Sequence, residues 1–139
     1  MKLLPRFNIP DLLVVAVILT ASTTTLPSLA ATPAELLAGY VAQAGSPAVP
    51  ARGQQFFTQT HGHEWRCATC HTESPNQAGK HVMTEKVITP LAPAAERERF
   101  TNPTKVEKWF RRNCNDVAGR VCTAQEKADV LAWLLSFKS

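Results

Sequence analysis

The chain has 139 residues, four of them cysteine and ten proline, and a formal charge of +4. That length allows one small domain once an N-terminal export segment is set aside. The modest basic balance suits an acidic protein partner, and the absence of a basic run interleaved with aromatics argues against nucleic acid.

Lys2 and Arg6 precede an apolar run from Leu12 to Leu19, and Ser28-Leu29-Ala30 offers small residues for cleavage before Ala31. This pattern predicts a secretory signal over residues 1–30 and a mature periplasmic domain over 31–139. An uncleaved membrane anchor is the alternative, although the run is shorter than the about 20 residues that span a bilayer. Export makes an oxidising space and disulfides available.

The mature chain reads as helical. Thr32-Pro33-Ala34-Glu35 is a capping-box start, Leu36, Leu37, Tyr40 and Val41 mark one apolar face, and Gly45-Ser46-Pro47 ends the helix. A second short helix is predicted from about Ala51 to Gln59, with Gly53 and Phe57 one turn apart on the same face. The His61-Gly62-His63 tract that follows reads as solvated.

Next comes Cys67-Ala68-Thr69-Cys70-His71. Two cysteines three apart, followed at once by histidine, form the attachment signature of c-type haem. Each thiol adds across a vinyl group to form a thioether, and the imidazole is placed to become the proximal iron ligand. One such segment implies one covalent haem c. A redox dithiol and half of a zinc site are the rival uses of the pair, and the βαβ pattern expected around a thioredoxin-like dithiol is missing.

From Thr72 to Asn102 the chain is interrupted by Pro75, Gly79, Pro90 and Pro93 and shows no sustained period, so it is expected to be mainly irregular. Val82, Met83, Val87, Ile88 and Leu91 are candidates to bury apolar surface against the porphyrin, and Pro90-Leu91-Ala92-Pro93 reads as a rigid wall or a surface loop.

Two helices close the chain. Asn102 caps the first, with Pro103 at its first position and Val106, Trp109 and Phe110 at helical spacing; its opposite face carries Lys105, Lys108, Arg111 and Arg112. Thr123-Ala124-Gln125-Glu126 is a second capping box, and Val130, Leu131, Leu134 and Phe137, with Trp133 alongside, make the stripe of the final helix, which should cross the helix bearing Gly53. Cys114 and Cys122 remain after haem attachment, and a disulfide is their simplest use; a zinc site drawing on all four cysteines is the alternative.

The far side of the iron has several candidates. Met83 is the only methionine of the mature chain, and His81 is a second possibility, while His61 and His63 lie on the solvated stretch. Asn113 follows Val106, Trp109 and Phe110 at i+7, i+4 and i+3, so its amide projects from the apolar face; ending the helix is the other role open to it.

The Cys-x-x-Cys-His segment, Pro90-Leu91-Ala92-Pro93, Arg99-Phe100-Thr101, Lys105-Val106-Glu107-Lys108-Trp109, Arg112-Asn113-Cys114, Gly119-Arg120, Cys122-Thr123, Glu126-Lys127 and Ala132-Trp133-Leu134 together resemble the oxygen-binding monohaem cytochromes c of the sphaeroides haem protein family. The resemblance runs through nearly the whole mature chain and is most specific from Lys105 to Cys122. It implies an all-α class I cytochrome c fold, several short helices wrapped around one covalent haem. It also implies ligation by His71 and Asn113, a disulfide between Cys114 and Cys122, binding of oxygen or nitric oxide when reduced, and association with a dihaem cytochrome c and a membrane cytochrome b.

The expected function is therefore that of an exported electron carrier whose reduced, five-coordinate haem binds diatomic gases. The alternatives are a plain electron carrier with Met83 or His81 as sixth ligand, and a small haem reductase or peroxidase, which would need acid–base groups that Asn113 does not supply.

Overall fold

The computed structural model describes residues 31–138, and the predicted signal over residues 1–30 lies outside them. The described chain forms helices α1 (Pro33–Ala44), α2 (Pro50–Thr58), α3 (Cys67–His71), α4 (Pro103–Ala118) and α5 (Ala124–Ser136). Between α3 and α4 lies a small antiparallel hairpin, β1 (Gly79–Lys80) and β2 (Val87–Ile88), in which Gly79 pairs with Ile88 and Lys80 with Val87. No described helix is long and apolar enough to cross a membrane.

The helix starts follow from their capping side chains. Thr32 and Thr123 each accept a hydrogen bond from the amide three residues on, at 3.2 Å, and Glu35 and Glu126 reach back to the two threonine amides at 2.7 and 2.8 Å. Asn102 Oδ1 accepts from the Lys105 amide at 2.9 Å and opens α4. Helices α1 and α4 end on Gly45 and Gly119, whose φ angles of 67° and 66° lie in the left-handed region that glycine enters without strain. Val49, at the start of α2, has no capping side chain of its own. A carboxylate from α5 does that work: Asp129 Oδ1 accepts from the Val49 amide at 2.7 Å.

Helix α5 is the hub, and both α1 and α2 pack along it. At its crossing with α2 a Cβ on Gly53 would overlap the Asp129 carbonyl, so glycine is required for the helices to approach this closely, as the sequence predicts. One buried cluster joins Phe57, Ala68, Val130, Trp133 and Leu134, and a second joins Tyr40, Ala128 and Leu131. Each large side chain in them contributes roughly 2 kcal/mol by leaving water. Phe100 and Phe110 touch both clusters. Phe100 does so from a left-handed backbone, φ 61°, a conformation that a bulky residue holds only when packing fixes it.

Three sequence expectations change. Residues 72–102 are mainly irregular but contain the hairpin, whose two-residue strands are too short to show a period. Its loop is closed by His81, whose Nδ1 accepts from the Met83 and Thr84 amides at 3.2 and 3.3 Å. In the protein chain Val82, Met83 and Val87 are exposed, Met83 to 69% and Val87 to 76%, while Leu91 packs on the cluster around Phe57 and Trp133. Ala92 beside it is fully buried, and the Pro75 carbonyl accepts from the Leu91 and Ala92 amides at 2.7 and 2.8 Å. Trp109 is 44% exposed rather than buried with Val106, because it borders the basic face, where the Arg112 guanidinium lies 5.7 Å over its ring. Phe137 falls just past the end of α5 and packs edge-on against Trp133, with ring centroids 5.3 Å apart.

Candidate functional site

Helix α3 presents Cys67, Cys70 and His71 within little more than one turn. The Arg66 amide donates to Thr69 Oγ1 at 3.1 Å to open it, and Thr72, with φ 60°, turns the chain away immediately after His71. The hairpin backs this helix so closely that a Cβ on Gly79 would overlap the Cys70 carbonyl. Cys67 and Cys70 are both free thiols, and burial pushes the Cys67 thiol up to about 11, so that it stays protonated. Burial, and then the positive charge of Arg99, hold the His71 imidazole down to about 4, which leaves it neutral with a lone pair to donate. Its ring lies 6.2 Å from that of Phe57 and makes no hydrogen bond among the described residues.

This donor set fits covalent haem c. Two free thiols can each add an S–H across a vinyl group, and iron ligation uses a neutral imidazole. It does not fit the zinc alternative: no group of three or more His, Cys, Asp or Glu is gathered for a metal among the described residues, and Cys114 is paired with Cys122.

Asn113 lies inside α4, which continues to Ala118 and is capped by Gly119, so it does not end the helix. It is half-buried on the face of the buried Val106 and Val117, and its amide has no hydrogen-bond partner among the described residues. The next residue, Cys114, is bonded to Cys122 with the two Cα atoms 5.6 Å apart, and both cysteines are buried. Beyond them the His63 ring sits against Gly119, where any Cβ would meet it. Cys67 of α3 and Phe110 of α4, one turn before Asn113, pack on the same cluster around Phe57 and Trp133.

The other ligand candidates lie elsewhere. Met83 is at the exposed hairpin tip, and His81 is engaged in closing that hairpin. His61 Nε2 is 2.7 Å from the Phe56 carbonyl, with its ring stacked on Phe56 at 4.2 Å.

Two groupings escaped the sequence reading. Arg99 donates to the Pro90 carbonyl at 2.8 Å and to Thr89 O and Oγ1 at 2.7 and 2.8 Å, which pins the strap that the Pro75 carbonyl holds from its other side. Lys127 joins Glu107 and Tyr40 in a part-buried cluster; the available signal was a lysine at position i of the stripe Val130, Leu131, Leu134.

A family model described as a domain of unknown function (DUF1924) matches residues 43–134. The cytochrome c-type protein SHP of Cereibacter sphaeroides is 53% identical over 106 residues, covering 73% of this chain and 81% of that protein. Cytochrome c'' of Methylophilus methylotrophus is 45% identical over 80 residues, covering 58% of this chain and 56% of its own length. The structure of oxidised SHP, described as an oxygen-binding cytochrome c, superposes with a TM-score of 0.73 at 49% identity over 77% of this chain and 98% of that one. Fold and site thus define a monohaem c-type cytochrome of the class I fold, carrying one covalently bound haem c. Within that class the chain belongs to the sphaeroides haem protein family.

Proposed function

We propose that this protein is an exported electron carrier in which Cys67 and Cys70 attach the haem, His71 and Asn113 ligate the ferric iron, and Asn113 leaves on reduction so that oxygen or nitric oxide can bind. The observation that carries this reading is Asn113 itself, a half-buried amide in the middle of α4 with no hydrogen-bond partner among the described residues. No buried side-chain polar atom among the described residues lacks a partner, so this amide reaches solvent, and its oxygen is uncommitted and able to ligate a metal ion.

The haem supplies one-electron iron chemistry. His71, kept neutral by its surroundings, donates its lone pair in both oxidation states. The Asn113 oxygen is a hard, weak donor and holds ferric iron far better than ferrous. With the haem held by Cys67, Cys70 and His71, the Asn113 amide would ligate ferric iron through its oxygen and could donate a hydrogen bond from its nitrogen to a bound gas molecule. Asn113 transfers no proton, so a reductase or peroxidase would lack its acid–base group at this position. The description of SHP as an oxygen-binding cytochrome c supports the gas-binding part of the reading. Lys2, Arg6 and the Leu12 to Leu19 run support export, and the family resemblance supports a dihaem cytochrome c and a membrane cytochrome b as electron partners.

The decisive measurement is the optical spectrum in both oxidation states. Wild type is expected to be six-coordinate when oxidised, and high-spin and reactive with carbon monoxide when reduced. Asn113→Ala should open the ferric site to water or cyanide, while Met83→Ala and His81→Ala leave the spectrum unchanged. Loss of native ligation in Met83→Ala or His81→Ala, with Asn113→Ala silent, would make this a plain electron carrier.

A further inference from the structure

A lysine, a glutamate and a tyrosine from three helices meet where α1, α4 and α5 converge. Lys127 Nζ donates to Glu107 Oε2 at 2.7 Å, and the Tyr40 hydroxyl donates to Glu107 Oε1 at 2.6 Å. The Lys127 side chain is only 12% exposed. Its ammonium lies 5.4 Å from the centre of the Tyr40 ring and 5.9 Å from that of Phe110, and the two rings meet edge-on at 5.8 Å. The ammonium is shielded between two aromatic faces, which strengthens its cation–π contacts, while the Glu107 side chain is 42% exposed and keeps water on its outer side.

The place of this cluster on α4 gives it a role. Helices α1 and α2 pack along α5, whereas α4 is held by Phe110, which touches both buried clusters, and by polar and covalent ties at two levels. The Tyr40–Glu107–Lys127 cluster holds its N-terminal half, and the Cys114–Cys122 bond, with His63 against Gly119, holds its C-terminal end. Asn113 lies between the two, one turn after Phe110, whose ring is part of the cluster. A covalent anchor beside Asn113 leaves the other half of the helix as the part able to move. Weakening the ionic tether would let α4 rotate about its own axis at Cys114 and turn the face that carries Asn113, without unfolding the chain.

We propose that the Tyr40–Glu107–Lys127 cluster is a positioning device for the haem's sixth ligand: it sets how firmly α4 presents Asn113, and so how easily an outside ligand takes that place. The inference rests on the assignment of Asn113 as that ligand. Neither Lys127 nor Glu107 touches the reacting position; both act through the helix.

The test is cyanide binding to the ferric holoprotein, followed by absorbance well below the melting temperature. Lys127→Met keeps the apolar stem and removes the charge, and Glu107→Gln supplies a second, independent cut. Each should speed cyanide binding by about tenfold, the scale of coupling between packed neighbours, while Lys127→Arg stays near wild type. Asp129→Asn is the control, since it weakens the α2–α5 junction without touching α4 and should leave the cyanide rate unchanged. Wild-type rates in both cluster variants, with Asn113→Ala fast, would overturn the inference and leave the ligand assignment standing. Equal acceleration by Asp129→Asn would overturn it too, by making the effect one of general stability. Asn113→Ala binding no faster than wild type would instead remove the ligand assignment on which it rests.

Discussion

Asp129 is a carboxylate placed in the interior to join two helices. It accepts from the Val49 amide, from Nε and Nη2 of Arg52, and from Gln125 Nε2. Burial alone would raise its pKa, but the hydrogen bonds from Arg52, Val49 and Gln125 outweigh burial and hold it below the ordinary carboxylate range. A lowered folded-state pKa means stability that is fully present above the unfolded value, near 3.9, and lost as pH falls through the folded value. Asp129→Ala is expected to lower stability by about 2 kcal/mol at neutral pH, because it strands the Val49 amide while the half-exposed Arg52 rehydrates. Thermal melts should show the gap between variant and wild type narrowing in acid. Little of this was legible in the sequence. Gly53 and Phe57 declare their shared face through spacing within one helix, whereas the bond partners Val49 and Asp129 are 80 residues apart and leave no local pattern.

At the scale of elements, the start of α4 was readable from Asn102 and Pro103, because capping chemistry is local. Its end was not, since Asn113, Asn115 and Asp116 are weak helix formers that invite a stop. What carries the helix on to Ala118 is the bond from Cys114 to Cys122, a pair the sequence offered, and the left-handed Gly119. Replacing both cysteines with alanine should lower stability by roughly 2 to 3 kcal/mol in the chain-entropy model and fray the last turn of α4. Urea unfolding followed by helical circular dichroism measures the first effect. Faster cyanide binding to the ferric protein measures the second, because a bond that served stability alone would leave that rate unmoved. The attachment helix was the most legible element of all, since its chemistry is written in five consecutive residues.

The whole molecule has an uneven surface charge. Lys105, Lys108, Arg111 and Arg112 are all exposed on one side of α4, and among the described residues only Arg112 has an acidic partner within ion-pairing distance, Asp116 at 4.0 Å. This face belongs to the helix that also bears Asn113, so a partner of opposite charge would be steered towards that helix. Electron-transfer rates with an acidic redox partner should fall as salt rises, and replacing the four cations with glutamine should flatten that dependence. A rate that stays constant with salt in the wild type would show the face to be only solvated. The sequence disclosed these four positions through helical spacing; it did not disclose that Trp109 borders them, because a side chain at the margin of two faces is assigned by tertiary packing rather than by period.

The two cysteine pairs also impose an order on biogenesis. Four cysteines allow three pairings, yet one pair must be oxidised while the other must reach the haem as thiols. For Cys67 the fold separates these fates by burial and ionisation. Thiol–disulfide exchange proceeds through the thiolate, and with the Cys67 thiol pushed up to about 11 almost none of it is ionised at neutral pH. Attack by Cys67 on the buried Cys114–Cys122 bond is therefore slow once the helices have closed.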